Sequence, residues 1–126
     1  MQAVRPENYR PRAIDRRIDQ LLRSFGAVEI AGPKWCGKTW TSLAHAGSAD
    51  LLTDPSTLLA AQSSPDLVLS GERPHLIDEW QEVPQIWDMV RSRIDSSAGE
   101  RGQFILTGSS APHDIETIRH SGAGRI

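Results

Sequence analysis

Residues 32–39 constrain this chain more than any other segment, because they read Gly-Pro-Lys-Trp-Cys-Gly-Lys-Thr. The pattern G-x-x-x-x-G-K-[ST] is typical of a phosphate-binding loop. Its two glycines permit backbone angles that a side chain forbids, so that successive N–H groups can surround an anion. The lysine of such a loop binds the β- and γ-phosphates, and the threonine hydroxyl is a ligand for Mg²⁺. The sequence therefore predicts a site for ATP or GTP with Mg²⁺.

The segments on both sides of the loop fit this interpretation. Residues 27–31 are mostly apolar and predict a buried strand, and residues 38–46 are compatible with a helix. The N-terminus of that helix would add the positive end of its dipole to the phosphate field. Because these signals coincide, a chance Gly-Lys-Thr turn is the weaker explanation. The predicted nucleotide-binding residues are Gly32, Pro33, Lys34, Trp35, Cys36, Gly37, Lys38, Thr39 and Trp40.

An acidic pair, Asp78 and Glu79, follows a second short apolar run. A P-loop enzyme uses an acidic residue at the end of a neighbouring strand to hold Mg²⁺, and Asp78 fits that role. Hydrolysis also needs a base that orients the attacking water, and Glu79 is the candidate. The alternative is a strand that ends in a solvated acidic turn. The phosphate-binding loop upstream makes that alternative weaker.

A third strand with a polar tip is predicted within residues 103–110. The hydroxyls of Thr107 and Ser109 are candidates to sense the γ-phosphate or to place the attacking water. An ordinary strand that ends in a Gly-Ser-Ser turn is the other interpretation. In a parallel sheet the carboxyl ends of the strands share one edge, where ligands bind. The loop, the acidic pair and the polar tip are therefore expected to lie together.

Strand and helix signals alternate along the chain, which predicts an α/β layered fold with a parallel sheet. An apolar stripe at helical spacing precedes the first strand. A short strand is expected within residues 50–53. A helix follows, with Asp54 as N-cap and Pro55 at its first position, and Leu58 and Leu59 are expected to face the core. A further helical stripe comprises Val83, Ile86, Trp87, Val90 and Ile94.

Composition limits the classes of function. With 126 residues the chain has room for one modest domain, and its net charge of −2 gives no electrostatic argument for nucleic acid. The N-terminal arginines alternate with acidic residues, which favours a solvated helix face. Cys36 is the only cysteine, so no internal disulfide can form. Redox control at Cys36 is conceivable, but a variable loop position that happens to be cysteine is the simpler explanation.

The N-terminal residues and the apolar runs favour a cytoplasmic protein. The opening residues lead into charged residues rather than into the apolar run of a signal peptide. No apolar stretch approaches the roughly 20 residues of a membrane span. The chain contains four tryptophans. Trp35 and Trp40 are candidates to lie beside the nucleotide, whereas a packing role is expected for Trp87.

Five segments occur together and make the chain resemble a known family: residues 9–12, 32–39, 76–81, 106–112 and 120–126. They resemble those of prokaryotic ATP-binding proteins with an AAA-type domain, usually followed by a C-terminal domain of unknown function. The resemblance implies a three-layer P-loop core with a mostly parallel sheet, Mg²⁺ and ATP as ligands, and ATP hydrolysis. It also implies Walker A roles for Lys38 and Thr39, Walker B roles for Asp78 and Glu79, a sensor role for Ser109, and an arginine, Arg125, that reaches the γ-phosphate.

The chain differs from this family in length, because it ends at Ile126, where the family continues. We expect residues 1–126 to be the N-terminal part of an AAA-type domain that is incomplete at its C-terminus. Residues 1–25 would form a leading arm and helix, and residues 26–126 the nucleotide-binding core. A missing strand would expose a sheet edge and invite self-association, and the C-terminal domain of longer relatives would be absent.

Three functions are compatible with the sequence. The leading hypothesis is a Mg²⁺-dependent ATPase that binds ATP and ADP. The second is a nucleotide-binding switch or interaction fragment that does not hydrolyse ATP. A small-molecule kinase is the least favoured, because no arginine-rich lid or acceptor site is evident, and because the acidic pair suits water activation better than transfer to an acceptor.

Overall fold

Four parallel strands alternate with four helices in the computed structural model, which describes residues 13–32 and 37–109. Two short 3-10 helices, Pro65–Val68 and Trp80–Glu82, lie on either side of the third strand. The elements are α1 (Ala13–Ser24), β1 (Ala27–Ala31), α2 (Lys38–His45), β2 (Ser48–Leu51), α3 (Pro55–Ser63), β3 (His75–Asp78), α4 (Ile86–Ser96) and β4 (Phe104–Gly108).

The strand order is β1-β4-β3-β2, and all three pairs are parallel. The last strand in the chain therefore lies between β1 and β3. Its register pairs Gly108 with Ala31, the last residue of β1, and Leu106 with Ile77 of β3. The carboxyl ends of β1, β3 and β4 consequently meet at one edge of the sheet. This confirms the predicted α/β fold with a parallel sheet.

Alternation along the central strands divides the core between the two faces of the sheet. Ile77 and Leu106 belong to the larger apolar cluster, which includes the buried stripe of α4. Leu76 and Ile105 belong to a second cluster, against which Leu22 of α1 and other apolar side chains pack. Because successive side chains of a strand point to opposite faces, the sheet lies between two helical layers. The predicted three-layer arrangement is thus confirmed.

The structure confirms part of the prediction for the region around α3. Asp54 caps α3 as predicted, since its Oδ2 accepts a hydrogen bond from the Thr57 amide at 3.1 Å. The preceding strand lies at Ser48–Leu51 rather than within residues 50–53. Leu58 packs against the larger cluster, but Leu59 is 65% exposed, so its prediction as a core residue was wrong. Adjacent residues of a helix point about 100° apart, and only one of the two reaches the core.

Helix α1 is fixed to α2 by a histidine between two carboxylates. His45 Nε2 lies 2.8 Å from Asp15 Oδ1, and its Nδ1 lies 2.8 Å from Asp19 Oδ1. The arginines at positions 16 and 17 of α1 are exposed, as expected for a solvated face. Across residues 13–32 and 37–109, none of the helices is long and apolar enough to span a membrane.

Strand β1 lies at one end of the sheet order and, within the described part of the chain, pairs with β4 alone. A cavity of about 390 Å³ lies beside it, lined by residues of β1 and α1 and by Trp87. The outermost strand of a sheet can accept a strand from another chain, so self-association stays a prediction.

Two leucines allow a matched test of the core. Leu106→Ala should lower the free energy of unfolding by about 2–5 kcal/mol, because Leu106 is fully buried in the central strand and the substitution leaves a cavity. Leu59→Ala removes the same atoms from an exposed position and should change stability by no more than about 0.5 kcal/mol. Urea denaturation of both variants measures the difference. Equal losses would contradict this assignment of core and surface.

Candidate functional site

The candidate site lies where the carboxyl ends of β1, β3 and β4 meet the N-terminus of α2. The Gly32 amide donates to the Gly108 carbonyl at 3.2 Å, which holds the end of β1 against the end of β4. Gly37 has φ 84°, a left-handed conformation that favours glycine, and α2 begins at the next residue. The predicted loop residues Pro33, Lys34, Trp35 and Cys36 lie outside the described residues.

Lys38 is the first residue of α2, and its side chain is buried at the site. Its Nζ donates to Ser109 Oγ and lies 3.3 Å from Glu79 Oε1. Lys38 is only 6% exposed, and burial of a charge is costly unless it is paired. Glu79 supplies the opposite charge. The two predicted site residues from the loop and the acidic pair are therefore in direct contact.

A chain of hydroxyl contacts supports the acidic pair. Thr39 Oγ1 donates to Asp78 Oδ1 at 3.0 Å, and Thr107 Oγ1 donates to the same oxygen at 2.6 Å. Thr107 Oγ1 also accepts a hydrogen bond of 2.9 Å from the Glu79 amide. Thr107 is completely buried, so its hydroxyl contacts Asp78 and Glu79 from the protein interior. These hydrogen bonds hold both residues in place. Of the two hydroxyls predicted to sense the γ-phosphate or to place the attacking water, that of Ser109 belongs to a residue that lines the cavity, whereas Thr107 is buried.

Glu79 has an unusual backbone conformation, with φ 61° and ψ 50°. Left-handed geometry costs a residue with a side chain about 1–2 kcal/mol, so neighbouring contacts must hold it there. The Ser109 amide donates to Glu79 Oε2 at 3.1 Å, and Ser109 Oγ donates to Oε1 at 2.8 Å. Gln81 Nε2 donates to Oε2 at 2.6 Å. Strained backbone of this kind is concentrated at functional sites.

The pKa of Glu79 is lowered by these contacts. Burial acts to raise the pKa of its carboxyl group, but hydrogen bonds from Gln81 and Ser109 and the charge of Lys38 favour the ionised form and outweigh burial. Glu79 is therefore a carboxylate at neutral pH and can accept a proton.

A cavity of about 570 Å³ opens at this edge of the sheet, within the range of small-molecule sites. It brings together residues from α2, the end of β2, the acidic pair, the turn after β3 and the end of β4. Its lining residues are Lys38, Thr39, Leu51, Thr53, Asp78, Glu79, Gln81, Glu82 and Ser109.

The oxygens of Thr39 and Asp78 fit a Mg²⁺ ion that is shared with phosphate. Mg²⁺ at such sites takes one or two carboxylates, and water and substrate phosphates complete its shell. Thr39 Oγ1 and Asp78 Oδ1 are 3.0 Å apart and belong to residues that line the cavity. Among residues 13–32 and 37–109, there is no group of three or more His, Cys, Asp or Glu side chains that could hold a metal ion. A Mg²⁺ ion at this position would therefore need water and phosphate oxygens as further ligands.

Other predicted site residues lie away from this cluster or cannot be located. Trp40 is 52% exposed and is absent from the described lining of the cavity. Arg125 lies outside the described residues. Trp87 is buried, as predicted, and its ring centroid lies 5.0 Å from that of Trp80.

Sequence reasoning assigned no role to three polar residues that line the cavity: Gln81, Thr53 and Glu82. It also missed the hydrogen bond of 3.1 Å from Trp80 Nε1 to Glu29 Oε2, which joins the turn after β3 to β1. One signal was available, since Gln81 follows the acidic pair closely. Its contact with Glu79 depends on the 3-10 turn, which the sequence pattern does not reveal.

A model of the family described as "AAA domain" matches residues 24–126, which include every predicted site residue. AAA domains generally bind ATP, usually with Mg²⁺. No curated protein matches the chain.

The lowered pKa of Glu79 predicts a pH dependence of stability. A carboxyl group whose pKa is lower in the folded state stabilises the fold above its ordinary value of 4.5, and this contribution is lost as pH falls through the folded-state pKa. The free energy of unfolding of the wild type should therefore exceed that of Glu79→Gln near neutral pH. The difference should shrink below about pH 4.5. Urea denaturation over a pH series measures it, and a difference that stays constant down to acid pH would refute the assignment.

Proposed function

This chain belongs to the AAA-domain family, and we propose that it binds ATP with Mg²⁺ and hydrolyses it to ADP and phosphate. One observation carries the proposal: a buried lysine, a hydroxyl and two carboxylates converge on one cavity at the carboxyl edge of a parallel sheet. That edge is where ligands bind in open α/β sheets.

Binding of the triphosphate is assigned to the loop and to the start of α2. Lys38 would supply positive charge for the β- and γ-phosphates, and the sequence pattern of the loop predicts further donors from its backbone N–H groups. The N-terminal end of α2 adds its dipole to the same region. Lys38 now contacts Glu79 and Ser109, so phosphate oxygens would replace these partners.

Thr39 and Asp78 are the residues that would hold Mg²⁺, because their oxygens already lie together at the cavity. When bound, Mg²⁺ neutralises charge that develops on the phosphate oxygens. Thr107 keeps the Asp78 carboxylate in position through its hydrogen bond of 2.6 Å.

Glu79 is assigned as the general base. Its carboxylate would accept a proton from a water as the water oxygen bonds to the γ-phosphorus and the bond to the leaving ADP oxygen breaks. The lowered pKa of Glu79 keeps the group in the form that can accept this proton. Ser109, which binds Glu79 and Lys38 together, is assigned to sense the γ-phosphate.

We also propose that residues 26–126 belong to the nucleotide-binding core of an AAA-type domain, that residues 1–25 form a leading arm and helix, and that Arg125 adds positive charge at the γ-phosphate. An arginine in that role is worth about 10³–10⁵ in rate. A related proposal is that copies of the chain associate at the side of the sheet formed by β1, which among the described strands pairs with β4 alone.

Substitution of the base separates hydrolysis from binding. Glu79→Gln should lower kcat for ATP hydrolysis by about 10²–10⁴ and leave nucleotide binding intact, because the amide cannot accept the proton but keeps the shape. Phosphate release measures kcat, and tryptophan fluorescence measures ATP binding. Glu82→Gln is a matched control, since Glu82 lines the same cavity but is exposed. It should leave kcat within about twofold of the wild type.

The outcomes distinguish the candidate functions. ATP binding without phosphate release from the wild type would favour the non-hydrolysing switch. Equal kcat values for the wild type and Glu79→Gln would remove Glu79 from the mechanism. Absence of ATP binding by the wild type would refute the proposal as a whole.

A further inference from the structure

Gln81 makes specific contacts in the candidate site, but the proposed function gives it no role. It belongs to the 3-10 turn Trp80–Glu82, directly after Glu79, and it lines the same cavity. Its Nε2 lies 2.6 Å from Glu79 Oε2 and 3.4 Å from the carbonyl oxygen of Ser109. The short contact joins a neutral donor to a carboxylate, which is stronger than a bond between two neutral groups.

Only one orientation of the Gln81 amide is consistent with this contact. An ionised carboxylate only accepts hydrogen bonds, so the NH₂ group must face Glu79. The carbonyl oxygen of Gln81 is then buried and has no hydrogen-bond partner among the described residues. An unpaired buried acceptor is unfavourable, because it has lost its hydrogen bonds to water without replacement. The Gln81 side chain nevertheless adopts this orientation, because it keeps the NH₂ group on Glu79.

Trp80 and Gly108 define the position of Gln81. Trp80 is anchored to β1 through Glu29, and its ring contacts that of Trp87. Gly108 leaves the necessary space, because a Cβ atom there would lie 3.2 Å from Gln81 Oε1 and 3.3 Å from Trp80 Nε1. The turn is thus fixed against both β1 and β4.

The two oxygens of Glu79 are held by different kinds of donors. Oε2 receives hydrogen bonds from the Ser109 amide, which is part of the backbone, and from Gln81. Oε1 contacts the side chains of Ser109 and Lys38. The proposed function assigns both of these side chains to phosphate, so they would leave Oε1 when they turn to the nucleotide. Oε2 would keep its donors.

We propose that Gln81 is a positioning residue for ATP hydrolysis: its amide and the Ser109 backbone fix Glu79 Oε2, and Glu79 Oε1 is the oxygen that accepts the proton of the attacking water. The proposal rests on the proposed function, because it takes Glu79 as the base. Gln81 acts through Glu79 and has no assigned contact with the nucleotide.

Removal of the donor tests the proposal. Gln81→Met keeps the length of the side chain but has no N–H, so kcat should fall about 10–100-fold, the equivalent of one hydrogen bond to a charged group. KM for ATP and the Kd of ADP should stay within about twofold, since neither depends on Glu79. Gln62→Met is the matched control, because Gln62 is an exposed glutamine of α3. It should leave both parameters unchanged.

A double variant separates positioning from a general structural effect. In a Glu79→Gln background, Gln81→Met should lower kcat no further, because the group it positions is no longer a base. A full additional loss, or a wild-type kcat in the single variant, would overturn the proposal. If Gln81→Met does not fold, as judged by circular dichroism, Gln81→Glu has nearly the same shape and places a repelling charge beside Glu79, so the same cycle is run with it. A wild type that binds ATP but releases no phosphate would instead refute the proposed hydrolysis.

Discussion

The pairing of β4 between β1 and β3 is the constraint on which the rest of the site depends. This single register sets Gly108 beside the end of β1 and brings the residues around it next to the acidic pair of β3. Thr107 precedes Gly108 in the sequence, and Ser109 follows it. Thr107 donates a hydrogen bond to Asp78 from the protein interior, and Ser109 donates one to Glu79 at the cavity. A shift of β4 by one residue would turn both side chains away from the acidic pair, because successive residues point to opposite faces of a sheet.

Charge explains why the parts of the site stay together. Lys38 and Glu79 are both buried, and each supplies the partner that makes burial of the other tolerable. Asp78 is stabilised by hydroxyl groups from two different elements. The carboxylate of Glu79, whose backbone is strained, is held by the Ser109 amide, directly after β4, and by Gln81 of the 3-10 turn. These contacts connect α2, β3 and β4, so the polar site contributes to the fold as well as to chemistry.

Much of this arrangement could be predicted from the sequence, for identifiable reasons. The phosphate-loop pattern fixed the location of β1 and α2, and the acidic pair after an apolar run located the end of β3. Strand order could not be predicted, because periodicity in one strand does not identify its neighbours. One residue was assigned wrongly and another was missed, each for a local reason. Leu59 has the same chemistry as Leu58 but points outward, and Gln81 reaches Glu79 only through a short 3-10 turn. The burial of Thr107 depends on β4 being a central strand.

The histidine contacts of α2 carry a consequence for where the structural unit begins. The family match starts at residue 24, the last residue of α1. His45 lies in the final turn of α2, the helix that begins at Lys38. Both of its carboxylate partners nevertheless belong to α1, and Ile18 of α1 is almost completely buried. A protein cut at the family boundary would lose these partners and uncover the sheet face beneath them. The structural unit that holds the phosphate-binding helix in place therefore includes α1.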